Sequence, residues 1–201
     1  MSSQVLLHPT KSKLAVYRYH ELAYRIFYRP SGIDKKILQS SFDLAHNWMN
    51  YYSKFCAVIL QLHQYEPSKN NHQLRLFLSK LTKALAKHYN TPNIGYFWVR
   101  EHSNRDKQHY HLAVLVSGHC CQHSRIIDEF ANSLWKQQDT KNFSYKVKNR
   151  IYNVKRHGDN KEWLALLTRL SYFAKRDSKG KHPTRHNFGR SQLLATTRSN
   201  C

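Results

Sequence analysis

The sequence predicts an α+β fold in which helices pack on the faces of an antiparallel β-sheet. An unbroken run of strand-forming apolar residues occupies 112–116, shortly after two histidines. Apolar residues recur at helical spacing between 71 and 89, as in an amphipathic helix. A polar stretch over 102–108 separates two apolar runs, which is typical of a hairpin. Hairpin strands interspersed with amphipathic helices favour an antiparallel sheet covered by helices.

Residues 1–50 are predicted to form a helical N-terminal extension, with Asp34 as an N-cap. A loose apolar stripe would face the rest of the protein, formed by Ile37, Phe42, Leu44 and Trp48. The main domain is predicted over 51–180. An irregular basic tail is predicted over 181–201, where Gly and Pro interrupt the chain.

The main domain is predicted to alternate strands with helices, because the apolar period changes between segments. Its elements are expected in this order: a strand over 55–63, a helix over 71–89, a strand over 94–101, a strand from 109 to 116, a helix over 124–137, a strand or strand pair over 143–154, and a last helix capped by Asp159 that ends near Lys175. We expect the strand that begins at His109 to return antiparallel to its predecessor.

The composition indicates a protein that meets a polyanion. The chain carries 33 Lys and Arg against 12 Asp and Glu, a formal net charge of +21. Nucleic acid is therefore the favoured partner, ahead of a ribosome-associated role or a membrane surface. The basic residues are spread along the chain, which favours a broad surface that follows the phosphate backbone.

Nothing in the sequence indicates membrane contact or an oxidising compartment. No segment approaches the ~18 apolar residues of a membrane span, and the apolar stretch at the N-terminus is too short for a signal peptide. The four cysteines fit neither a zinc knuckle nor a small disulfide framework. We expect a cytoplasmic protein that does not bind membranes.

The histidines at 109 and 111 are candidates for metal ligands. Side chains two apart on a strand share a face, so His109 and His111 point the same way. Glu101 ends the preceding strand, and the hairpin would bring it beside His109 as a third ligand. The alternative is that the histidines face solvent and that Glu101 is an ordinary loop charge paired with Arg100 or Arg105.

A tyrosine in the last helix is a candidate nucleophile. On a helical wheel, Tyr172 lies opposite the apolar stripe, which is formed by Trp163, Leu166, Leu167, Leu170 and Ala174. Lys175 lies three residues on, where its ammonium would stabilise a phenolate or a pentavalent phosphate. The alternative is a surface tyrosine that merely covers a neighbouring side chain. Aromatic residues near the strands could stack unpaired bases.

The two motifs, in this order, resemble those of the HUH endonucleases that start rolling-circle replication. The resemblance rests on the histidine pair, Glu101 upstream of it, and Tyr-Phe-Ala-Lys at 172–175. Residues 98–102 (Trp-Val-Arg-Glu-His) and 108–116 are similar to the inovirus gene-two replication proteins, whose prophage-borne relatives carry a YagK/YfjJ-type C-terminal domain. The resemblance covers about residues 50–180 and implies that 51–180 is an HUH endonuclease-like catalytic domain.

The resemblance implies a site-specific nickase that initiates replication of a phage, prophage or plasmid. His109, His111 and Glu101 would hold Mg²⁺ or Mn²⁺, Tyr172 would be the nucleophile, and Lys175 would assist it. The DNA, a single-stranded or supercoiled origin, would be left with a 5′-phosphotyrosine and a free 3′-hydroxyl primer. Basic side chains expected to contact the nucleic acid are Arg100, Arg169, Arg176, Lys179 and Lys181.

The chain departs from the family pattern in ways that bear on its partners. The early strand at 59–65 lacks the acidic residue expected there, and the final motif holds one tyrosine, as in single-tyrosine nickases. The sequence has no Gly-rich phosphate loop, so we expect a host helicase and polymerase to act with the protein. A single-strand transposase with the same chemistry and a non-catalytic nucleic-acid-binding prophage regulator stay open as alternatives.

Overall fold

Two antiparallel sheets and four helices make up the part of the chain that the structure describes. The structure is a computed structural model of the 201-residue chain, and it describes residues 4–7, 13–102, 108–176 and 187–193. The predicted α+β class, with an antiparallel sheet and helices packed on its faces, is confirmed.

The larger sheet contains the strands predicted around the histidine pair. Its six strands are β4 (Lys54–Gln64), β5 (Gly95–His102), β6 (Gln108–Ser117), β7 (Phe143–Tyr145), β8 (Ile151–Lys155) and β9 (Phe188–Arg190). They are ordered β7-β4-β6-β5-β9, and β8 pairs with the first half of β4 on the same side as β7. The central position of β6 places the histidine pair in the middle of the sheet.

The four helices are α1 (Lys35–Tyr51), α2 (His72–Tyr89), α3 (Arg125–Lys136) and α4 (Lys161–Tyr172). Alternate residues of β4 separate the two cores that these helices complete. Val58 and Leu60 pack with α2 and α3, whereas Ala57 and Ile59 pack with α1 and α4. Burial on both faces explains why the central strands are continuous apolar runs rather than alternating ones.

The N-terminal region differs from the predicted helical extension. Three strands, β1 (Gln4–Leu7), β2 (Leu14–Tyr19) and β3 (Leu22–Phe27), form a separate sheet in that order, so the helical prediction is wrong before α1. Alternate residues are buried on both strands, which is the strand signal: Ala15, Tyr17 and Tyr19 on β2, and Tyr24 and Ile26 on β3. His20 takes the left-handed conformation (φ 52°) in a two-residue turn without Gly or Asn, so the usual hairpin signature is missing.

The predicted N-cap of α1 is confirmed, and the N-cap of α4 lies one residue later than predicted. Asp34 caps α1, because its Oδ1 accepts hydrogen bonds from the backbone N–H groups of Lys36 and Ile37. In α4 the N-cap is Asn160 rather than Asp159. The helix ends at Tyr172, so Lys175 lies beyond it rather than at its end.

Part of the predicted irregular tail belongs to the sheet. Residues 188–190 form β9, which pairs with β5 at Trp98 and its neighbours. A Cβ on Gly189 would lie 2.8 Å from Nε1 of Trp98, so the strand approaches the indole closely only because this residue has no side chain. Gly189 therefore permits pairing here rather than ending it.

None of the helices among the described residues combines the length and the apolar character that a bilayer crossing requires.

A histidine in the α1 core gives a prediction for stability against pH. The ring of His46 lies 4.7 Å from Tyr19 and 4.8 Å from Trp163 between ring centroids, and burial, with the nearby His20, lowers the pKa of His46 from 6.5 to about 4. The unfolded chain takes up this proton as the pH falls through 6.5, whereas the folded protein does so only near pH 4. Folding stability should therefore fall as the pH is lowered across that window.

Denaturant unfolding of the wild type and His46→Phe at pH 6.5 and 4.5 measures this effect. The wild type should lose more free energy of unfolding between the two pH values than the variant, because Phe cannot bind a proton. His119→Phe, at an exposed position, is the matched control and should keep the wild-type pH dependence. Equal pH dependence in the wild type and His46→Phe would contradict the prediction.

Candidate metal and nucleophile site

The hairpin of β5 and β6 brings three metal-ligating side chains together. Glu101 lies directly opposite His109 in the strand register, and His111 follows on the same face. Oε2 of Glu101 is 3.4 Å from Nε2 of His109 and 3.2 Å from Nε2 of His111. The structure therefore brings together the three residues that the sequence proposed as ligands.

Burial and charge determine the ionisation of this cluster. Burial opposes the charge on Glu101, but hydrogen bonds to His109 and His111 and the positive charge of Lys175 hold the pKa of its carboxyl well below its usual range. Burial lowers the pKa of His111, and this outweighs the opposing effect of Glu101. The cluster thus favours an ionised carboxylate beside a neutral imidazole, the forms that bind metal.

The donor set fits a divalent cation. The candidate ligand atoms of Glu101, His109 and His111 all lie within 4.8 Å of one another. Atoms bound to one ion at about 2.1 Å are separated by roughly 3 to 3.5 Å, and the two His–Glu distances match that spacing. Two imidazoles and one carboxylate leave coordination positions free for other oxygen ligands. The cluster can therefore hold a metal ion, whose identity the donors do not fix.

The end of α4 and the residues that follow it bring a phenol and an ammonium close together. Nζ of Lys175 donates a hydrogen bond of 2.8 Å to the hydroxyl of Tyr172 and lies 3.3 Å from Oε2 of Glu101. The Tyr172 ring meets the His111 ring edge to face, with centroids 5.8 Å apart. Lys175 therefore links the predicted nucleophile to the predicted metal ligands through direct contacts.

Backbone contacts from the N-terminal region hold this end of α4. The N–H of Phe27 donates to Oγ of Ser171 at 2.8 Å, and the Phe27 ring contacts that of Tyr172 at 5.0 Å. The N–H of Asp34 donates to the carbonyl of Ala174 at 2.8 Å, beside an antiparallel bridge at Lys175. The helical wheel placed Tyr172 on an open surface, but β3 half-covers it.

One histidine near the site was missed by sequence reasoning. His63 on β4 lies opposite His109, and the two rings stack with centroids 5.6 Å apart. On its other side His63 stacks on Phe143 of β7 at 4.5 Å. The sequence does contain one signal for His63: it lies four residues after Ile59 on β4 and so shares its sheet face. Only the pairing register, however, shows that His63 lies opposite His109.

One of the basic residues predicted to contact nucleic acid is buried. Arg100 is 1% exposed on the opposite sheet face, where it donates to the carbonyl of Ser68 and to Oε1 of Gln108. The predicted contact between Arg100 and nucleic acid therefore does not fit the structure. Its guanidinium instead connects the loop before α2 to the sheet. The carboxylate of Glu101 contacts His109, His111 and Lys175.

The other predicted basic contacts differ in their accessibility. Arg169 donates to the carbonyls of Lys148 and Asn149 and so joins α4 to the turn before β8. Arg176 is exposed directly after Lys175. Lys179 and Lys181 lie outside the described residues. A groove of about 710 Å³ opens beside Tyr172, and Arg169 is among its lining residues.

Comparison with known proteins gives one match. The family model described as the YagK/YfjJ C-terminal domain matches residues 18–191, a range that includes β3, the cluster of candidate ligands and β9. No curated protein and no solved structure matches the chain.

Proposed function

The chain belongs to the YagK/YfjJ C-terminal domain family, and we propose that it is a metal-dependent nickase of single-stranded DNA that initiates replication. One observation carries the proposal. The hydroxyl of Tyr172, the ammonium of Lys175 and Oε2 of Glu101 form a chain of contacts of 2.8 and 3.3 Å that ends at the two histidines. A nucleophile beside a metal-ligand set is the arrangement that phosphoryl transfer needs.

The proposed reaction transfers the phosphoryl group of one phosphodiester from the 3′-oxygen of the DNA to Tyr172. Oη of Tyr172 attacks the phosphorus, the bond between phosphorus and the 3′-oxygen breaks, and the proton lost by the phenol balances the one gained by the 3′-hydroxyl. The products are a 5′-phosphotyrosine and a free 3′ end, which a polymerase can extend. Lys175, in contact with the hydroxyl, stabilises negative charge on the phenolate oxygen and on the phosphate.

The three candidate ligands have a separate role in this proposal. His109, His111 and Glu101 would hold a divalent cation, Mg²⁺ or Mn²⁺, which supplies Lewis acidity to a non-bridging phosphate oxygen when bound. The His63 ring stacks on that of His109, with 5.6 Å between the ring centroids, and so packs beside a candidate ligand. The net charge of +21 supports a polyanionic substrate, because dispersed Lys and Arg bind phosphates in any sequence.

End-labelled DNA tests the proposal. The protein is incubated with a random single-stranded DNA library and Mn²⁺, or with Mn²⁺ and excess EDTA, and then denatured. We expect a denaturation-resistant adduct that retains a 3′-end label but releases a 5′-end label, because the phosphotyrosine holds the downstream fragment. Peptide mass spectrometry should locate the nucleotide on Tyr172.

The label and the metal separate the alternatives. A transposase of the same chemistry would also form the adduct. In a strand-transfer assay it would in addition join the DNA of the adduct to a second labelled strand. A non-catalytic regulator would bind the library without an adduct under any metal condition, and that result would overturn the proposed nickase.

A further inference from the structure

The sheet face that carries the metal ligands continues outward to the exposed edge strand β7. The register joins Phe143 to His63, His63 to His109, and His109 to Glu101 in one row across four strands. The neighbouring row joins Tyr145 to Gln61 and Gln61 to His111. Side chains in register across a sheet share a face, so the two aromatic residues lie on the same face as the two candidate ligand histidines, with one residue of β4 between them in each row.

The first row is a stack of parallel rings that ends at the sheet edge. Phe143 lies against His63 with an angle of 4° between the ring planes, and His63 lies against His109 with an angle of 19°. Phe143 is 48% exposed and Tyr145 is 55% exposed, although both are large aromatic side chains. The stack therefore offers an open aromatic end to a further flat ring, two positions away from a candidate metal ligand.

The surroundings of these aromatics carry positive charge. Residues 136–150 contain five basic residues and one acidic residue, and of the basic residues Lys146 and Arg150 pair with Asp128. Lys141 lies over the ring of Tyr65, with Nζ 4.3 Å from the centroid, and Lys141 and Lys148 are exposed on either side of the two aromatics in sequence. Exposed aromatic rings among lysines suit a ligand with flat apolar rings on an anionic backbone.

We infer that Phe143 and Tyr145 form a stacking platform for unpaired bases of single-stranded DNA next to the phosphate that the histidine pair serves. This inference rests on the proposed function, since it assigns the substrate's flanking bases to a surface beside the same site. Base stacking on aromatic rings tolerates any sequence, and it requires that the base be unpaired. The platform thus selects single strands over duplex, whereas the lysines attract both.

Binding measured without cleavage tests the platform. Fluorescence anisotropy of a labelled single-stranded oligonucleotide and of its duplex is recorded in EDTA over a series of salt concentrations. For the double variant F143A/Y145A we expect the single-strand affinity to fall by roughly fivefold to a hundredfold per aromatic residue, with duplex affinity unchanged. The dependence of log affinity on log salt should keep its slope, because no phosphate contact is lost.

Four single variants, among them Phe143→Ala, separate the contribution of the aromatic ring from other causes of weaker binding. Lys141→Ala should instead reduce the salt slope by about one. Leu76→Ala removes another exposed apolar side chain from α2, on the other face of the sheet, and should leave both affinities unchanged. Phe143→Leu keeps an apolar side chain but removes the ring, and it should bind as weakly as Phe143→Ala.

Each other result overturns the inference. Unchanged single-strand affinity in F143A/Y145A would remove the platform, and equal losses for single strand and duplex would show an effect other than stacking. A change from dimer to monomer in size-exclusion chromatography, with unchanged affinity, would show that β7 pairs with a second copy of the chain. Binding is measured in EDTA and so does not depend on cleavage. If the wild type forms no adduct, the proposed nickase activity is overturned, whereas the stacking platform is still judged by the binding affinities of the variants.

Discussion

Replacing Tyr172 by Phe is expected to abolish formation of the covalent adduct. The substitution removes one oxygen atom and keeps the ring that contacts Phe27 and His111. Without that oxygen no bond to phosphorus can form at this position, and loss of a nucleophile typically lowers the rate by at least about 1,000-fold. Adduct yield with Mn²⁺ on a single-stranded substrate measures the loss.

The same variant should retain the properties that do not need the hydroxyl. Affinity for single-stranded DNA in EDTA and affinity for Mn²⁺ should be close to wild type, because the ligand cluster and the dispersed basic residues are unchanged. Tyr51→Phe is the matched control, since it removes a phenolic oxygen from an exposed ring on α1, outside the candidate ligands and the stacking platform. An adduct that survives in Tyr172→Phe and maps to another tyrosine would show that the nucleophile was assigned wrongly.

The candidate ligands could be predicted because they depend on local geometry. A spacing of two residues on a strand is sufficient to place His109 and His111 on one face, and a short hairpin is sufficient to bring Glu101 beside them. The central strand was equally predictable, because a segment buried on both faces is a continuous apolar run. These features need only one strand or one hairpin to be correct.

The surroundings of Tyr172 could not be predicted in the same way. The helical wheel applied to α4 gave its apolar stripe correctly, yet the helix ends at Tyr172 and the position of Lys175 follows from a bridge to Ile33. Ile33 follows the N-terminal sheet, a region that was predicted as helix. One missed hairpin therefore left both the covering of the phenol by Phe27 and the course of the chain after it unknown.

The row from Phe143 to Glu101 was beyond sequence reasoning for a related reason. It requires the register of three strand pairs, of which β4 with β6 and β4 with β7 join strands far apart in the chain, and β7 has only three residues. Shifting any one pair by a single residue would place its side chains on the other face. Arg100 shows the same limit, because one step along β5 separates it from Glu101 and puts it in the opposite core.

Replacing His111 by Ala is expected to abolish metal binding and nicking while single-stranded DNA still binds. His111 supplies one of three candidate ligands, and its Nε2 lies 3.2 Å from Oε2 of Glu101. Loss of an outer partner alone typically weakens metal affinity 10- to 100-fold, so loss of a ligand should weaken it by more than about 100-fold. Calorimetric titration with Mn²⁺ measures the affinity, and adduct yield at one fixed Mn²⁺ concentration measures the activity.

The comparison of metal with DNA affinity distinguishes a ligand from a structural histidine. His111 also stacks on Phe173 with centroids 5.2 Å apart, so its removal can loosen the core. A loosened core would reduce DNA affinity, thermal stability and metal affinity together, whereas a missing ligand reduces metal affinity and nicking alone. His119→Ala removes an exposed histidine outside the cluster and should change none of these. Equal losses of metal and DNA affinity in His111→Ala would therefore assign this residue to the core and remove it from the metal site.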